Sequence, residues 1–369
     1  MNLAGQAWDA ANVARTEQLV EDNLPHPGEE DLRGFEWHYL RGLVRQNLRM
    51  TLPHPTEVRV VAISPDGSRV ATGDRDGIAR LWDTTTGQLL ATLTLHTSAI
   101  FSLAFSPDGK TLATGSHDNL IGLWDMSSNT LLRKMSGDTD TVLKLTFSPN
   151  GQWLAASTHS PEVNLFKLSS EMVFIPLNGH QRGISGLAFS PDGQWIASGS
   201  DDSTIKVWKV PVNYLPGVIQ TCLRSWWPLT TRYSSEGVFG IYAKHSDCQN
   251  HDVMPSRSNP LATLKGHRER IFSVTFSPDG KLLASAGDDL TVKLWNTTNW
   301  RETASLNGHG KEIRDIAFSP DGKLLASAGF DRLIKIWDVA TRRELGTIQG
   351  HGATIHSLVF SSDGQTLAT

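Results

Sequence analysis

A single turn, repeated at constant spacing, limits the possible folds of this chain more than any other feature. Ser-Pro-Asp-Gly begins at Ser64, Ser106, Ser190, Ser277 and Ser319, with near copies at Ser148 (Ser-Pro-Asn-Gly) and Ser361 (Ser-Ser-Asp-Gly). Five of the six steps between these serines are 42 residues, and the step from Ser190 to Ser277 is 87. A fixed period of this size means one supersecondary unit used repeatedly. Proline presets φ at the second turn position and glycine suits the fourth, a type I pattern.

Around each turn the texture repeats. Ile100–Phe105 alternates before the turn, and Thr111–Thr114, Leu120–Trp124 and Thr130–Arg133 follow it. Short alternating runs bounded by Gly, Asp and Pro read as strands. Four antiparallel strands per period is a propeller blade, and ring closure leaves no end blade uncovered. The 12 tryptophans among 369 residues fit a repeated packing role. The expected fold is therefore all-β: a propeller of about seven blades over residues 46–369, with the last blade cut short at Thr369. An incomplete blade would leave an unpaired strand edge, which is an aggregation hazard. The stretch Gln46–Leu52 reads as a stray fourth strand that clasps the last blade.

Four residues recur at fixed offsets from the turn serine: His ten before, Ser or Thr eight after, Asp twelve after and Trp eighteen after. The sets are His54, Thr72, Asp76, Trp82; His96, Thr114, Asp118, Trp124; His180, Ser198, Asp202, Trp208; His267, Ser285, Asp289, Trp295; and His309, Ser327, Asp331, Trp337. Ser, His and Asp together invite a hydrolase reading, but a catalytic triad is built once, beside one oxyanion hole. Five copies, each with a tryptophan, read instead as a structural hydrogen-bond chain from carboxylate through imidazole and hydroxyl to indole. No catalytic residue, cofactor site or metal site is assigned. The group His245, Cys248, His251 lacks an evident fourth ligand for zinc. In the repeat anchored at Ser148 the four offsets hold Asp138, Ala156, Ser160 and Phe166, so that blade is expected to form with looser loops.

These motifs resemble the WD-repeat family, whose repeats open near Gly-His and end in Trp-Asp. Gly-His stands at Gly179-His180, Gly266-His267, Gly308-His309 and Gly350-His351, and Trp-Asp at Trp82-Asp83, Trp124-Asp125 and Trp337-Asp338. The resemblance covers about residues 46–210 and 260–369. It implies a non-catalytic scaffold for protein–protein interaction that uses the propeller face around the channel mouth. At that face the sequence would present Arg75, His117, Arg182, Asp201, Arg268, Arg270, Asp288, Lys311 and Phe330. Arg182, Arg268, Arg270 and Lys311 come from three neighbouring loops and suit an acidic peptide, or form a solvated charged rim, since Glu269, Glu312 and Asp288 lie close by.

Residues 211–259 hold both cysteines and little alternation, and read as a worn blade, an insertion, or a stretch scrambled by mutation. Residues 1–45 read as a short α-helical hairpin broken at Pro25-His26-Pro27-Gly28. Within them, Asp31–Leu40 resembles a linker before the propeller of bacterial multidomain WD-repeat proteins, some of which carry a serine/threonine kinase domain. That resemblance implies a regulatory or sensor fragment in signalling, although no kinase motif is present. The formal net charge of −4 argues against nucleic acid as the main partner. No apolar run is long enough for a membrane helix and no signal peptide is visible, so a cytoplasmic setting is expected.

Overall fold

Every Ser-Pro-Asp-Gly closes a hairpin between the first and second strands of a sheet. The glycine N–H donates to the serine carbonyl, at 2.8 Å in the turns ending at Gly109, Gly193, Gly280 and Gly322. These glycines have φ between 69° and 72°, in the left-handed region that side chains disfavour. The serine hydroxyl donates to the aspartate (Ser106 to Asp108, 2.6 Å) and accepts the N–H five residues on (Thr111, 2.9 Å). One short polar side chain thus ties both strands of the hairpin to their turn.

The computed structural model describes residues 50–136, 140–168, 173–211, 259–349 and 351–369. The first blade is β1 (Val58–Ile63), β2 (Arg69–Asp74), β3 (Ile78–Asp83) and β4 (Leu89–Thr94). The second is β5 (Ile100–Phe105), β6 (Thr111–Ser116), β7 (Leu120–Asp125) and β8 (Thr130–Ser136). The third is β9 (Val142–Phe147), β10 (Trp153–Thr158), β11 (Glu162–Lys167) and β12 (Val173–Asn178). The fourth is β13 (Ile184–Phe189), β14 (Trp195–Ser200), β15 (Thr204–Lys209) and β16 (Ala262–Lys265). The fifth is β17 (Ile271–Phe276), β18 (Leu282–Gly287), β19 (Thr291–Asn296) and β20 (Arg301–Asn307). The sixth is β21 (Ile313–Phe318), β22 (Leu324–Gly329), β23 (Leu333–Asp338) and β24 (Arg343–Gln349). Each of these sheets is an antiparallel meander in chain order. The seventh position holds only β25 (Val359–Phe360) paired with β26 (Leu367–Ala368).

The first strands form the inner ring. β1 packs on β5, β5 on β9, β9 on β13, β13 on β17 and β17 on β21, and β25 lies against both β21 and β1. Apolar side chains fill the space between neighbouring blades: Ala71, Leu81 and Leu93 of the first meet Ile100 and Leu103 of the second. The fit is close enough that a Cβ on Gly115 would stand 2.6 Å from Cγ1 of Val142 in the next blade. The ends of the described ring meet through Val359 and Ala368, which pack on Val61, Val70 and Trp82, and through His356 Nε2 and Glu57 Oε1, 3.0 Å apart.

Several expectations need correction or fall outside the described residues. Against the expectation of about seven blades with the last cut short, the described residues form six complete four-stranded blades and a two-stranded hairpin in the seventh position. Of the expected clasping strand, residues 46–49 lie outside the described residues; residues 50–52 are not a strand, and Leu52 packs on the first blade's Val61, Val70 and Trp82. A clasping fourth strand needs a third strand beside it, and β26 pairs only β25 among the described residues. No helix occurs among the described residues, and the proposed helical hairpin of residues 1–45 lies outside them. The long step falls between β15 and β16, which pair directly, so the fourth blade is completed across it. Residues 212–258, on which the three readings of that step rest, also lie outside the described residues. The third blade forms without the polar network, with Phe166 and Ala156 buried at two of its positions.

Candidate interaction site at the channel mouth

In four blades the polar network closes as a continuous chain. His180 Nδ1 donates to Asp202 (2.9 Å), Ser198 donates to His180 Nε2 (2.8 Å), and Trp208 Nε1 donates to the Ser198 hydroxyl (2.9 Å). The same chain runs through His267, Asp289, Ser285 and Trp295, at 2.7–2.8 Å. It recurs in His309, Asp331, Ser327 and Trp337, and in His96, Asp118, Thr114 and Trp124. Burial pushes the His96 and His309 imidazoles down, against the pull of Asp118 and Asp331, which favours the neutral ring. Burial alone would raise the Asp202 and Asp289 carboxyls, but hydrogen bonds from His180 and His267 and from neighbouring hydroxyls and amides bring them well below the usual range. The hydroxyls of Thr114, Ser198, Ser285 and Ser327 belong to residues with no solvent exposure, so no substrate reaches them.

The first blade departs from this pattern. His54 Nε2 meets Thr72 (2.7 Å) and Trp82 donates to Thr72 (2.9 Å), but His54 Nδ1 bonds the Leu52 carbonyl (2.9 Å). Asp76 is exposed and makes no contact with His54. Asp74, two residues earlier, caps the loop instead by accepting the N–H groups of Asp76 and Ile78, and it pairs with Arg80. The assignment of Asp76 to the network is therefore corrected. Asp74 takes over the loop, and the Leu52 carbonyl takes over the imidazole.

The loop before each first strand and the loop between the second and third strands meet at one end of the ring. The Arg75 N–H donates to Glu57 O, that of His117 to Ala99 O, that of Asp201 to Gly183 O, that of Asp288 to Arg270 O and that of Phe330 to Glu312 O, each at 2.9 Å. Arg75, His117, Arg182, Arg268, Arg270 and Lys311 are all exposed there, and Asp201, Asp288 and Phe330 are half-buried. Arg270 lies 3.8 Å from Asp288. Burial and the neighbouring Glu312 raise the Asp288 carboxyl.

Sequence reasoning missed the inner wall of this mouth. In each complete blade the pairing of first and second strands slips by one residue, a β-bulge. The extra residues are Arg59, Phe101, Leu143, Ser185, Phe272 and Arg314, each five before its turn serine, and His356 holds that place in the seventh repeat. A bulge releases a residue from the ladder and re-aims its side chain. Around the ring these side chains form the sequence Phe272, Arg314, His356, Arg59, Phe101. The Arg314 guanidinium carbon is 4.1 Å from the Phe272 ring centre and 4.7 Å from that of Phe330, and Arg59 stands 5.9 Å from Phe101. Glu57 gathers Arg59 (3.3 Å), His356 (3.0 Å) and Arg75 (3.9 Å). The neighbouring inner position carries Lys144 and Asp315, from blades well separated around the ring and 3.9 Å apart. Asp315 also accepts from Ser273, Ser357 and the Leu358 N–H. The signal that would have found this wall is the common offset of five, where the residue type changes from repeat to repeat.

Among the described residues no cluster suits a metal ion, and no helix is long and apolar enough to cross a membrane. The family model "WD domain, G-beta repeat" matches residues 46–83, 87–125, 129–166, 171–209, 258–296, 300–338 and 342–369. Ribosome assembly protein 4 of Chaetomium thermophilum is 51% identical over 45 residues, 12% of this chain and 9% of that protein. The target of rapamycin complex subunit LST8 of Saccharomyces cerevisiae is 32% identical over 54 residues, 15% of this chain and 18% of LST8. Human WD repeat-containing protein 86 is 43% identical over 53 residues, 14% of each chain. The chain thus spans less than a fifth of the length of these curated relatives. The seven matches of the family model take in well over half of the sequence, and the chain belongs to the WD40-repeat family.

Proposed function

We propose that this chain is a non-catalytic scaffold that docks a segment of a partner protein on the channel mouth. One observation carries the reading. Residues that build the ring recur from blade to blade, whereas the residue released by each bulge differs: Arg59, Phe101, Leu143, Ser185, Phe272 and Arg314. A ring needs sameness, and recognition needs difference placed on a rigid frame. The rim cations Arg182, Arg268, Arg270 and Lys311 favour an acidic segment. Two relatives bear names that place them in assemblies, a ribosome assembly protein and a complex subunit, which accords with scaffold use. The reading as a regulatory part of a kinase-linked protein rests on residues 31–40 alone.

The test is an unbiased library of synthetic dodecapeptides, acetylated and amidated, selected on the full chain. Selected peptides are expected to lose at least tenfold in affinity for Phe101→Ala and Phe272→Ala. They should bind unchanged to Leu90→Ser and Leu132→Ser, at exposed leucines of the outer strands. Binding that follows the leucines and ignores the phenylalanines would move docking off the mouth.

A further inference from the structure

We infer that Arg314 anchors the docked segment, and that the group it holds is an aspartate or glutamate side-chain carboxylate. This rests on the docking reading above and gives it a chemistry. The bulge on β21 sets the Arg314 guanidinium between Phe272 and Phe330, which cover it on two sides. Among the described residues its N–H groups have no hydrogen-bond acceptor, and Nε is shut off from solvent. Arg59 shares the buried, unpartnered Nε, but its terminal nitrogen has an acceptor, and the rim arginines are exposed to solvent. Arg59 is bonded to Glu57, and Arg75 and Arg270 lie beside Glu57 and Asp288. A half-buried guanidinium without an acceptor is costly unless something supplies one. Aromatic faces offset part of that cost, and they hold the planar fork in one orientation.

The shape and field of the site narrow the acceptor. A carboxylate is planar and can take two parallel N–H bonds from one guanidinium. Asp288 and Glu312 stand near Arg314 and stabilise its charge, so the site already contains negative groups. An open groove of about 430 Å³ lies beside the site, lined by Asp288, Glu312, Lys311 and Phe330; Arg314 itself is not in its lining and meets it only through Phe330. A single negative charge is tolerated in that field, with Lys311 at the groove, whereas a dianion or a polyanion is repelled by Asp288 and Glu312. An acidic side chain of an extended peptide therefore fits better than a phosphate.

The same amidated library supplies the test, because its only carboxylates are side chains. Selected peptides should carry Asp or Glu at one fixed position. Changing that residue to its amide should weaken binding to the unaltered chain at least tenfold, and to Arg314→Leu less than twofold. Arg314→Lys, which keeps the charge and loses the paired donors, is the second variant. It should bind the acidic peptide at least threefold more weakly than the unaltered chain and the amide equally well. An amide penalty of the same size in all three proteins overturns the assignment of Arg314. Peptides without an acidic residue that still need Phe101 overturn the carboxylate and leave mouth docking in place. Peptides indifferent to both Phe101→Ala and Phe272→Ala overturn docking itself. Phosphoserine at the acidic position, if bound more than tenfold tighter, reassigns the anchor to phosphate and overturns the inference.

Discussion

In blades 2, 4, 5 and 6 one imidazole bridges a carboxylate and a hydroxyl, whereas His54 in blade 1 bridges a carbonyl and a hydroxyl. The difference has a measurable consequence. Asp331→Ala strands the buried Nδ1–H of His309 and should cost about 2–3 kcal/mol. Asp76→Ala removes an exposed side chain and should stay within about 0.5 kcal/mol. Urea unfolding of the two variants separates them, and equal losses would contradict the geometry. Protonation gives a second prediction. Burial lowers the pKa of His54, His96, His309, His351 and His356 from 6.5 in the native chain. Below pH 6.5 the unfolded chain takes up protons that the native chain refuses, so stability is full above that pH and falls as pH drops through it. Each unmatched proton contributes a slope of about 1.4 kcal/mol per pH unit. Melting temperature should be flat from pH 7.5 to 8.5 and decline from pH 6.5 to 5; a constant value across the lower range would rule out the neutral native rings.

At the scale of strands and turns, what could be read from the sequence was whatever repeats. The turn, its serine-to-aspartate bond and the hydroxyl–indole pairs lie at fixed offsets because the same backbone geometry demands them in each blade. The bulge was hidden. Ile100-Phe101-Ser102-Leu103 looks like simple alternation, yet Ile100, Ser102 and Leu103 are all buried and Phe101 is turned toward the mouth. Pairing register is a property of two strands, so a slip between Ile100 and Ser102 leaves little mark on one strand alone. Arg314 was overlooked for the same reason: its position repeats but its residue type does not. The position of the rim residues was legible because they sit in loops that the repeat itself delimits. Asp76 was misassigned because its offset matched, while Asp74 and Arg80, which displace it, occur together only in the first blade.

For the molecule as a whole, stability is shared between adjacent blades, and the seventh position is the thinnest link. Val359 and Ala368 bring apolar contact to the first blade, and His356 adds a bond to Glu57. Val359→Asp should therefore loosen the first blade more than the fourth. Amide exchange in β1 and β2 is expected to quicken at least tenfold while β13–β15 keep their protection; uniform acceleration would mean that the ring opens as one unit. The Lys144–Asp315 pair carries a different consequence. It links the third blade to the sixth across the centre of the ring at 3.9 Å, an ionic crossbar behind the mouth. On the docking reading, a segment that enters at the mouth meets this crossbar, so a loop or a chain end that withdraws by the same door suits the site better than a chain threaded through.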